Sequence, residues 1–232
     1  MVTMSNAAPW IPRAAPFAAY MGFLLIQDLV GGFLPGGFVK THWPALVYPL
    51  KIIAAAGLLL YFWKSYDELK SRAPTGNFRR DMIAAAGVGV LVFVLWVRMD
   101  WPFAVVGDPT VYNPWSLPGG LAVTFIGIRL LGASVVVPIF EELFWRSFLM
   151  RYIIKPEFTT VPVGAFTWPS FLIGAALFGS EHHFWLAGIM AGVLYSLLLY
   201  RTRSIWACIV SHGLTNLLLG VYVLSYGNWK FW

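Results

Sequence analysis

The chain consists of long apolar runs separated by short polar connectors. The runs cover about residues 16–34, 44–63, 81–99, 119–138, 139–155, 164–180, 184–200 and 204–226. Most of them approach the ~20 apolar residues with which a helix crosses ~30 Å of hydrocarbon. They are continuous rather than alternating, which favours helices over the strands of a barrel, since a segment in lipid must satisfy its own backbone hydrogen bonds. The pattern therefore predicts an all-α, polytopic transmembrane bundle of seven or eight helices.

The number of helices depends on the segment 119–155, where two apolar runs meet at Pro138. One straight helix over this segment would be about 55 Å long at 1.5 Å per residue, which exceeds the thickness of a bilayer. Three arrangements are open at this stage. Pro138 bends a single long tilted helix, one half of the segment re-enters the membrane, or both halves cross it completely.

The distribution of positive charge predicts the orientation. The connector between the second and third runs carries five basic residues: Lys64, Lys70, Arg72, Arg79 and Arg80. Cytoplasmic loops of membrane proteins are enriched in Lys and Arg, so we expect this connector in the cytoplasm and the loop 100–120 on the other side. The turn with Arg201 and Arg203 also reaches the cytoplasm only if the segment 119–155 crosses the membrane once.

Composition narrows the class of protein. The chain is 59% hydrophobic and 11% charged, with a mean hydropathy of +0.72. Soluble domains have roughly 45–50% apolar and about 25% charged residues, so a soluble enzyme, a nucleic-acid-binding protein and a disordered protein are excluded. The net charge of +6 is typical of basic cytoplasmic loops and does not indicate a nucleic-acid partner. We expect a multi-pass protein of a cell inner membrane.

Ionisable residues within the apolar runs are the candidates for chemistry, because a charge at membrane depth costs at least ~2.5–3.5 kcal/mol on insertion scales. The first group reads Glu141-Glu142-Leu-Phe-Trp-Arg146. On a helix, Glu142 and Arg146 are i,i+4 neighbours in the favourable order for an ion pair, whereas Glu141 points about 100° away. A carboxylate without a partner can act as a general base on water. In the alternative interpretation, both acids face water at a helix end.

Two further polar groups lie in other runs. The spacing of His212 and Asn216 places them on one helix face, one turn apart. Two convergent donors suit a developing oxyanion, although such pairs also join helices by hydrogen bonds. Glu181, His182 and His183 lie at a helix junction. His182 is a candidate base or metal ligand, and the choice between the two imidazoles stays open.

The three groups together form an ordered set of motifs on separate helices. The chain reads Glu-Glu-x-x-x-Arg at 141–146, Phe-x-x-x-His at 178–182 and His-x-x-x-Asn at 212–216. This set resembles the CPBP family, which includes the type II CAAX prenyl endopeptidases and the bacteriocin-processing (Abi) proteins. The motif-bearing catalytic core covers about residues 119–226 within a single integral membrane domain, 1–232. The size is also similar to that of CAAX-protease-related proteins found with bacterial exosortase systems.

The resemblance implies an intramembrane, glutamate-dependent endopeptidase whose catalytic groups meet in a cavity open to the cytoplasm. It implies that Glu141 activates water and that His182 assists it. His212 and Asn216 match the pair that would stabilise the oxyanion. These four positions are the catalytic residues that we expect.

The remaining residues of the first motif, Glu142 and Arg146, are expected to support the site, with Arg146 as a structural or substrate-orienting partner. A set of Glu and two His can hold zinc in principle. The chain lacks the His-Glu-x-x-His spacing, however, and the amide carbonyl of Asn216 would be a poor zinc ligand. We therefore expect neither a metal nor another cofactor.

These observations predict hydrolysis of a peptide bond in a membrane-associated peptide or a lipidated protein, within the lipid bilayer and without nucleic acid. A link to an exosortase system is the narrower expectation. One alternative is a non-enzymatic membrane scaffold or immunity-type protein that keeps the motifs for helix packing. Another is a proton-coupled transporter with a Glu/His relay, although the chain shows no internal repeat.

Overall fold

The computed structural model describes residues 8–70, 76–107 and 112–232, and Arg72 of the basic connector lies outside these ranges. Every regular element in them is helical, which confirms the predicted all-α bundle. The helices are α1 (Ile11–Phe33), α2 (Phe38–Tyr61), α3 (Phe78–Trp96), α4 (Gly120–Ile154), α5 (Trp168–Ser180), α6 (Trp185–Thr202) and α7 (Ile205–Tyr226). Five of these helices, α1, α2, α4, α6 and α7, are long and apolar enough to span a membrane.

Helix α4 continues through Pro138, so the runs 119–138 and 139–155 are not separate helices. They form one helix of 35 residues, and the single long helix is the correct one of the three predicted arrangements. Because α4 passes through the bundle once, the turn with Arg201 and Arg203 lies at the same end as the basic connector. The described residues thus contain seven helices rather than eight.

Pro138 is accommodated by a widened stretch of α4. The stretch Gly132–Val136 is π-helical, a form in which an N–H donates to the carbonyl five residues before it, as the N–H of Val137 donates to Gly132. Continuing that pattern would pair residue 138 with the carbonyl of Ala133, but proline has no N–H to donate. Asn216 of α7 supplies the missing donor, since its Nδ2 lies 2.9 Å from Ala133 O. A neighbouring helix thus satisfies the carbonyl that proline leaves free.

Side-chain caps determine where three of the helices begin. Asn77 precedes α3, Thr167 precedes α5 and Ser204 precedes α7, and each side-chain oxygen accepts a hydrogen bond from the N–H three residues further on. Such caps satisfy donors that have no partner within the helix, and each contributes ~1 kcal/mol. All three capped helix starts lie at the same end of the bundle.

This end, which we call the basic end, comprises the starts of α1, α3, α5 and α7 and the ends of α2, α4 and α6. Arg13 at the start of α1 forms an ion pair of 2.6 Å with Glu68 in the connector after α2. Glu68 also accepts a hydrogen bond from Ser147 of α4. Trp206 at the start of α7 donates to the carbonyl of Leu69 at 2.9 Å. These contacts join three helices, α1, α4 and α7, to the connector after α2 at the basic end.

The opposite end comprises the α3–α4 connector, the turn between α5 and α6, and the residues after α7. His183 in the turn has its Nδ1 2.9 Å from the carbonyl oxygen of Val106 in the α3–α4 connector. Lys230, after α7, forms an ion pair with Asp100 in the same connector. Three separate chain segments therefore meet at the opposite end.

Charged side chains lie inside the bundle, and large apolar side chains face outward. Glu142 and Arg146 are 0% and 2% exposed, whereas Phe33, Leu60 and Leu131 are 89%, 74% and 67% exposed. This distribution is the reverse of that in a soluble protein. It fits a bundle surrounded by hydrocarbon, in which polar groups must find partners within the protein.

Helices α5 and α6 approach each other closely at two glycines. A Cβ atom on Gly179 would lie 2.7 Å from the backbone carbonyl of Trp185, and one on Gly188 would lie 2.8 Å from the Cα of Gly179. Small residues allow membrane helices to pack at short distances. The contact holds the turn with His182 against α6.

We predict that Gly179→Ala lowers stability, because the added methyl group has no space between α5 and α6. Overpacking of this kind costs typically ~1–3 kcal/mol. The measurement is thermal unfolding of the purified protein in detergent. Gly87→Ala in α3 is the matched control, since no atom lies within 4 Å of its added Cβ, and equal melting temperatures for the two variants would contradict the close contact.

Candidate functional site

The four predicted catalytic residues converge on one cavity. Glu141 comes from α4, His182 from the turn between α5 and α6, and His212 and Asn216 from α7. All four line a cavity of about 360 Å³, which lies in the range of ~300–1,000 Å³ typical of ligand pockets. The elements are distant in sequence, so the convergence is a property of the fold.

The two adjacent glutamates are both buried, which excludes the alternative that they face water at a helix end. Glu142 is 0% exposed, and its Oε1 accepts a hydrogen bond of 3.2 Å from Nη1 of Arg146. The guanidinium also lies over the ring of Phe178, with Cζ 4.3 Å from the ring centroid. A buried charge of either sign needs such partners. The predicted i,i+4 pair is therefore present and forms the inner wall of the site.

His212 lies between the two glutamates. Its Nδ1 is 3.0 Å from Glu142 Oε1, and its Nε2 is 3.9 Å from Glu141 Oε2. An ionised carboxylate only accepts hydrogen bonds, so the hydrogen resides on Nδ1 and Nε2 is directed towards Glu141. The ring of Tyr195 stacks on the imidazole at a centroid distance of 5.2 Å. These contacts determine both the orientation and the tautomer of His212.

The Oε2 atoms of Glu141 and Glu142 are both buried without a hydrogen-bond partner in the protein. The two residues differ because Oε1 of Glu142 contacts Arg146 and His212, whereas Glu141 lines the cavity. The Nε2 atom of His212, at 3.9 Å, is beyond direct hydrogen-bond distance. Buried polar atoms are nearly always satisfied, and an exception needs an explanation. The position of Glu141 on the cavity wall leaves this oxygen available to a water molecule or a substrate.

The two adjacent histidines differ in their surroundings. His182 has its Nδ1 2.8 Å from the carbonyl oxygen of Phe178, so Nδ1 donates and the Nε2 atom of a neutral ring is free to accept. Its ring packs against Trp96 at 5.3 Å between centroids. His183 is exposed, and its Nδ1 contacts the carbonyl of Val106 instead. Both line the cavity, but only His182 is enclosed by aromatic rings within the bundle.

Asn216 has a structural partner as well as a place on the cavity wall. One N–H of its side-chain amide donates to the carbonyl of Ala133, the group that Pro138 leaves unpaired. The amide has a second N–H. Asn216 can therefore offer one donor to a bound substrate, and the other is used to hold α4 against α7.

Glu181 is a second carboxylate of the cavity, which sequence reasoning did not assign to the site. Its Oε1 accepts a hydrogen bond of 3.1 Å from Nε1 of Trp145 and lies 4.0 Å from Nδ1 of His182. Its adjacency to His182 was the available signal. Because it lies in a turn, helical spacing could not predict which way its side chain points.

The outer part of the cavity carries positive charge. Lys230 lines it and donates to Asp100, and this hydrogen bond lowers the pKa of the Asp100 carboxyl below its usual range. Arg129 also lines the cavity, with its guanidinium 5.0 Å from the ring centroid of Tyr48 and 5.1 Å from that of Trp232. The outer part thus carries two basic side chains, of which Lys230 is paired with Asp100.

Within the described ranges, no group of three or more His, Cys, Asp or Glu side chains is arranged to hold a metal ion. The side chains that face the cavity are instead two carboxylates, imidazoles and an amide. These groups can accept a proton and donate hydrogen bonds, which are the two functions that amide hydrolysis by water needs.

We predict that Arg146→Met destabilises the protein, because it leaves the Glu142 carboxylate buried without its cationic partner. Removing one partner of a buried ion pair costs ~3–5 kcal/mol. Thermal unfolding in detergent measures the effect. Lys155→Met is the control, since Lys155 forms a solvent-exposed pair with Glu157, and a melting temperature of Arg146→Met equal to that of the control would contradict the role of the buried pair.

Comparison with known proteins gives one match. Residues 121–218 match the model of the family described as Type II CAAX prenyl endopeptidase Rce1-like. No curated protein and no solved structure matches the chain. The matched residues include all four cavity-lining positions predicted from the motifs, and the family is one of peptidases. The motif-bearing core of this membrane protein therefore matches the Rce1-like family of type II CAAX prenyl endopeptidases, the resemblance that its motifs predicted.

Proposed function

We propose that the chain is an intramembrane endopeptidase that hydrolyses a peptide bond with water activated by Glu141. The single observation that carries this proposal is the buried Oε2 atom of Glu141, which has no partner in the protein and faces a cavity lined by imidazoles and an amide. The family match supports the class of reaction. The substrate that we propose is a membrane-associated peptide or a lipidated protein, and an exosortase-linked substrate stays a prediction.

In the proposed reaction, the Glu141 carboxylate removes a proton from a water molecule as the water oxygen attacks the carbonyl carbon of the substrate. The neutral His182 accepts a hydrogen bond from the same water through Nε2 and so orients it. The carbonyl π bond breaks and gives a tetrahedral oxyanion. Collapse of this intermediate breaks the C–N bond, and the proton on Glu141 passes to the leaving amine.

Two donors are proposed to stabilise the oxyanion, namely Nε2–H of His212 and the second N–H of Asn216. With Nδ1 donating to Glu142, Nε2 of His212 can donate only if the ring is protonated. Oε1 of Glu142 orients the ring through Nδ1, as the carboxylate of a catalytic triad does. Each donor fixed in a site with little water stabilises the transition state by ~2.7–4 kcal/mol.

The non-enzymatic alternative is a scaffold in which the motifs serve helix packing alone. The contacts of Glu142, Arg146 and Asn216 are consistent with packing, because each joins helices. Glu141 distinguishes the two functions, since its Oε2 has no partner in the protein and the residue lines the cavity, which Glu142 does not. A scaffold would gain stability if this buried atom were replaced by an uncharged group, whereas a peptidase would lose activity.

The first functional prediction is that Glu141→Gln abolishes cleavage and leaves the protein folded and inserted. The amide is nearly isosteric with the carboxylate but cannot accept a proton from water. Quantitative proteomics of membranes from cells that express the wild type or the variant measures the effect: an uncleaved membrane peptide should accumulate with Glu141→Gln.

The matched control is Glu157→Gln, which makes the same change at an exposed carboxylate of the basic end. Cells with this variant should show the wild-type peptide pattern. Cleavage that persists in Glu141→Gln at the rate of this control would overturn the proposed base.

The second functional prediction separates the two neighbouring histidines. His182→Ala should lower the cleavage rate by ~10²–10⁴-fold, the usual contribution of a positioned acid–base group, whereas His183→Ala should change it by less than about tenfold because its Nδ1 is held by the α3–α4 connector. The rates of product formation in reconstituted vesicles provide the measurement. A larger loss in His183→Ala than in His182→Ala would exchange the proposed roles.

A further inference from the structure

We infer that the cavity opens to the side of the membrane away from the cytoplasm, so that its substrate is a peptide segment presented at that face. The part about the substrate rests on the proposed function, whereas the direction of the opening does not.

The lining residues come only from the middle of the bundle and from its opposite end. Glu141, Tyr195 and His212 form the deep part, near the centres of α4, α6 and α7. The outer part is formed by Trp96 at the end of α3, by the turn between α5 and α6, and by Lys230 with the two residues after it. No lining residue lies at the basic end.

Below Glu141, the bundle is closed towards the basic end. The next turns of α4 bring Glu142, Arg146 and Met150, which are 0%, 2% and 3% exposed. Ser147, between Arg146 and Met150, is 0% exposed and contacts both Glu68 and Arg13 of the basic end. A substrate that entered from the basic end would have to break these buried contacts.

The two ends differ strongly in positive charge. Nine described Lys and Arg residues lie at the basic end: Arg13, Lys64, Lys70, Arg79, Arg80, Arg151, Lys155, Arg201 and Arg203. Three lie at the opposite end: Lys40, Arg98 and Lys230. Cytoplasmic segments carry the excess of Lys and Arg, so the basic end faces the cytoplasm and the cavity faces the other compartment.

This direction differs from the cytoplasmic opening that the family resemblance implies. The difference depends on the path of α4, because a helix that crosses once places the turn between α5 and α6 and the residues after α7 away from the basic connector. The proposed substrate is therefore a membrane-anchored chain whose scissile bond lies at or just below the non-cytoplasmic surface.

The test is labelling of single cysteines with a membrane-impermeant, positively charged methanethiosulfonate reagent. The reagent is added to spheroplasts, whose outer face is accessible, and to inverted vesicles. The variant Leu219→Cys places a thiol on the cavity wall, and His183→Cys is a second cavity position in case the first variant does not fold. Both should react in spheroplasts at least tenfold faster than in inverted vesicles.

Three controls use the same chain. Trp115→Cys, in the exposed part of the α3–α4 connector, reports the opposite end, and Lys70→Cys reports the basic end. Leu217→Cys lies on α7 two residues from Leu219 and faces lipid, so it should not react from either side. The unchanged protein is the blank, since its single cysteine, Cys208, is buried.

Each outcome decides the inference. Reaction of Trp115→Cys in spheroplasts and of Lys70→Cys in inverted vesicles, together with spheroplast labelling of the cavity, supports it. The inference is overturned if Trp115→Cys reacts only in inverted vesicles and Lys70→Cys only in spheroplasts. It is also overturned if the cavity cysteines react only in inverted vesicles. An unreactive cavity thiol in a folded variant also overturns it, because the cavity would then be closed. None of these readouts involves cleavage, so failure here is distinguishable from failure of the proposed peptidase.

Discussion

The rest of the site depends on the buried carboxylate of Glu142, whose Oε1 atom accepts hydrogen bonds from two other groups. Arg146 neutralises it within α4, and Nδ1 of His212 contacts it from α7. A carboxylate at this depth is stable only with such partners. Arg146 and Nδ1 of His212 both contact Glu142, so neither is available to Glu141 on the adjacent face of the helix. The other ring nitrogen of His212, Nε2, is directed towards Glu141. One glutamate organises the site and the other is left available.

The need of buried polar groups for partners within the protein also explains why an irregular helix carries the site. Pro138 and the widened stretch before it free the carbonyl of Ala133, and Asn216 reaches across from α7 to satisfy it. This contact holds α4 and α7 together one turn from His212. A proline that would weaken an isolated helix thus positions two helices of a bundle, because a membrane interior leaves no water to satisfy the free carbonyl.

Much of this arrangement could be predicted from the sequence. Apolar runs indicated the bundle, and the spacing of Glu142 and Arg146 indicated their pair, because both depend on contacts that are local in the chain. The continuity of α4, the bond from Glu142 to His212 and the position of Glu181 could not be predicted, because each depends on how distant helices pack. The direction that we propose for the cavity could not be predicted either, since it depends on a single crossing by α4.

The central claim is that Glu142 fixes the hydrogen of His212 on Nδ1 and directs Nε2 towards Glu141. Nitrogen NMR of isotopically labelled histidine measures the state of each ring nitrogen, and replacing His212 by Asn assigns its signals among the four histidines of the chain. The account predicts a protonated, strongly hydrogen-bonded Nδ1 in the wild type and its loss in Glu142→Gln. An His212 ring that carries its hydrogen on Nε2 alone, with a bare Nδ1, would contradict it.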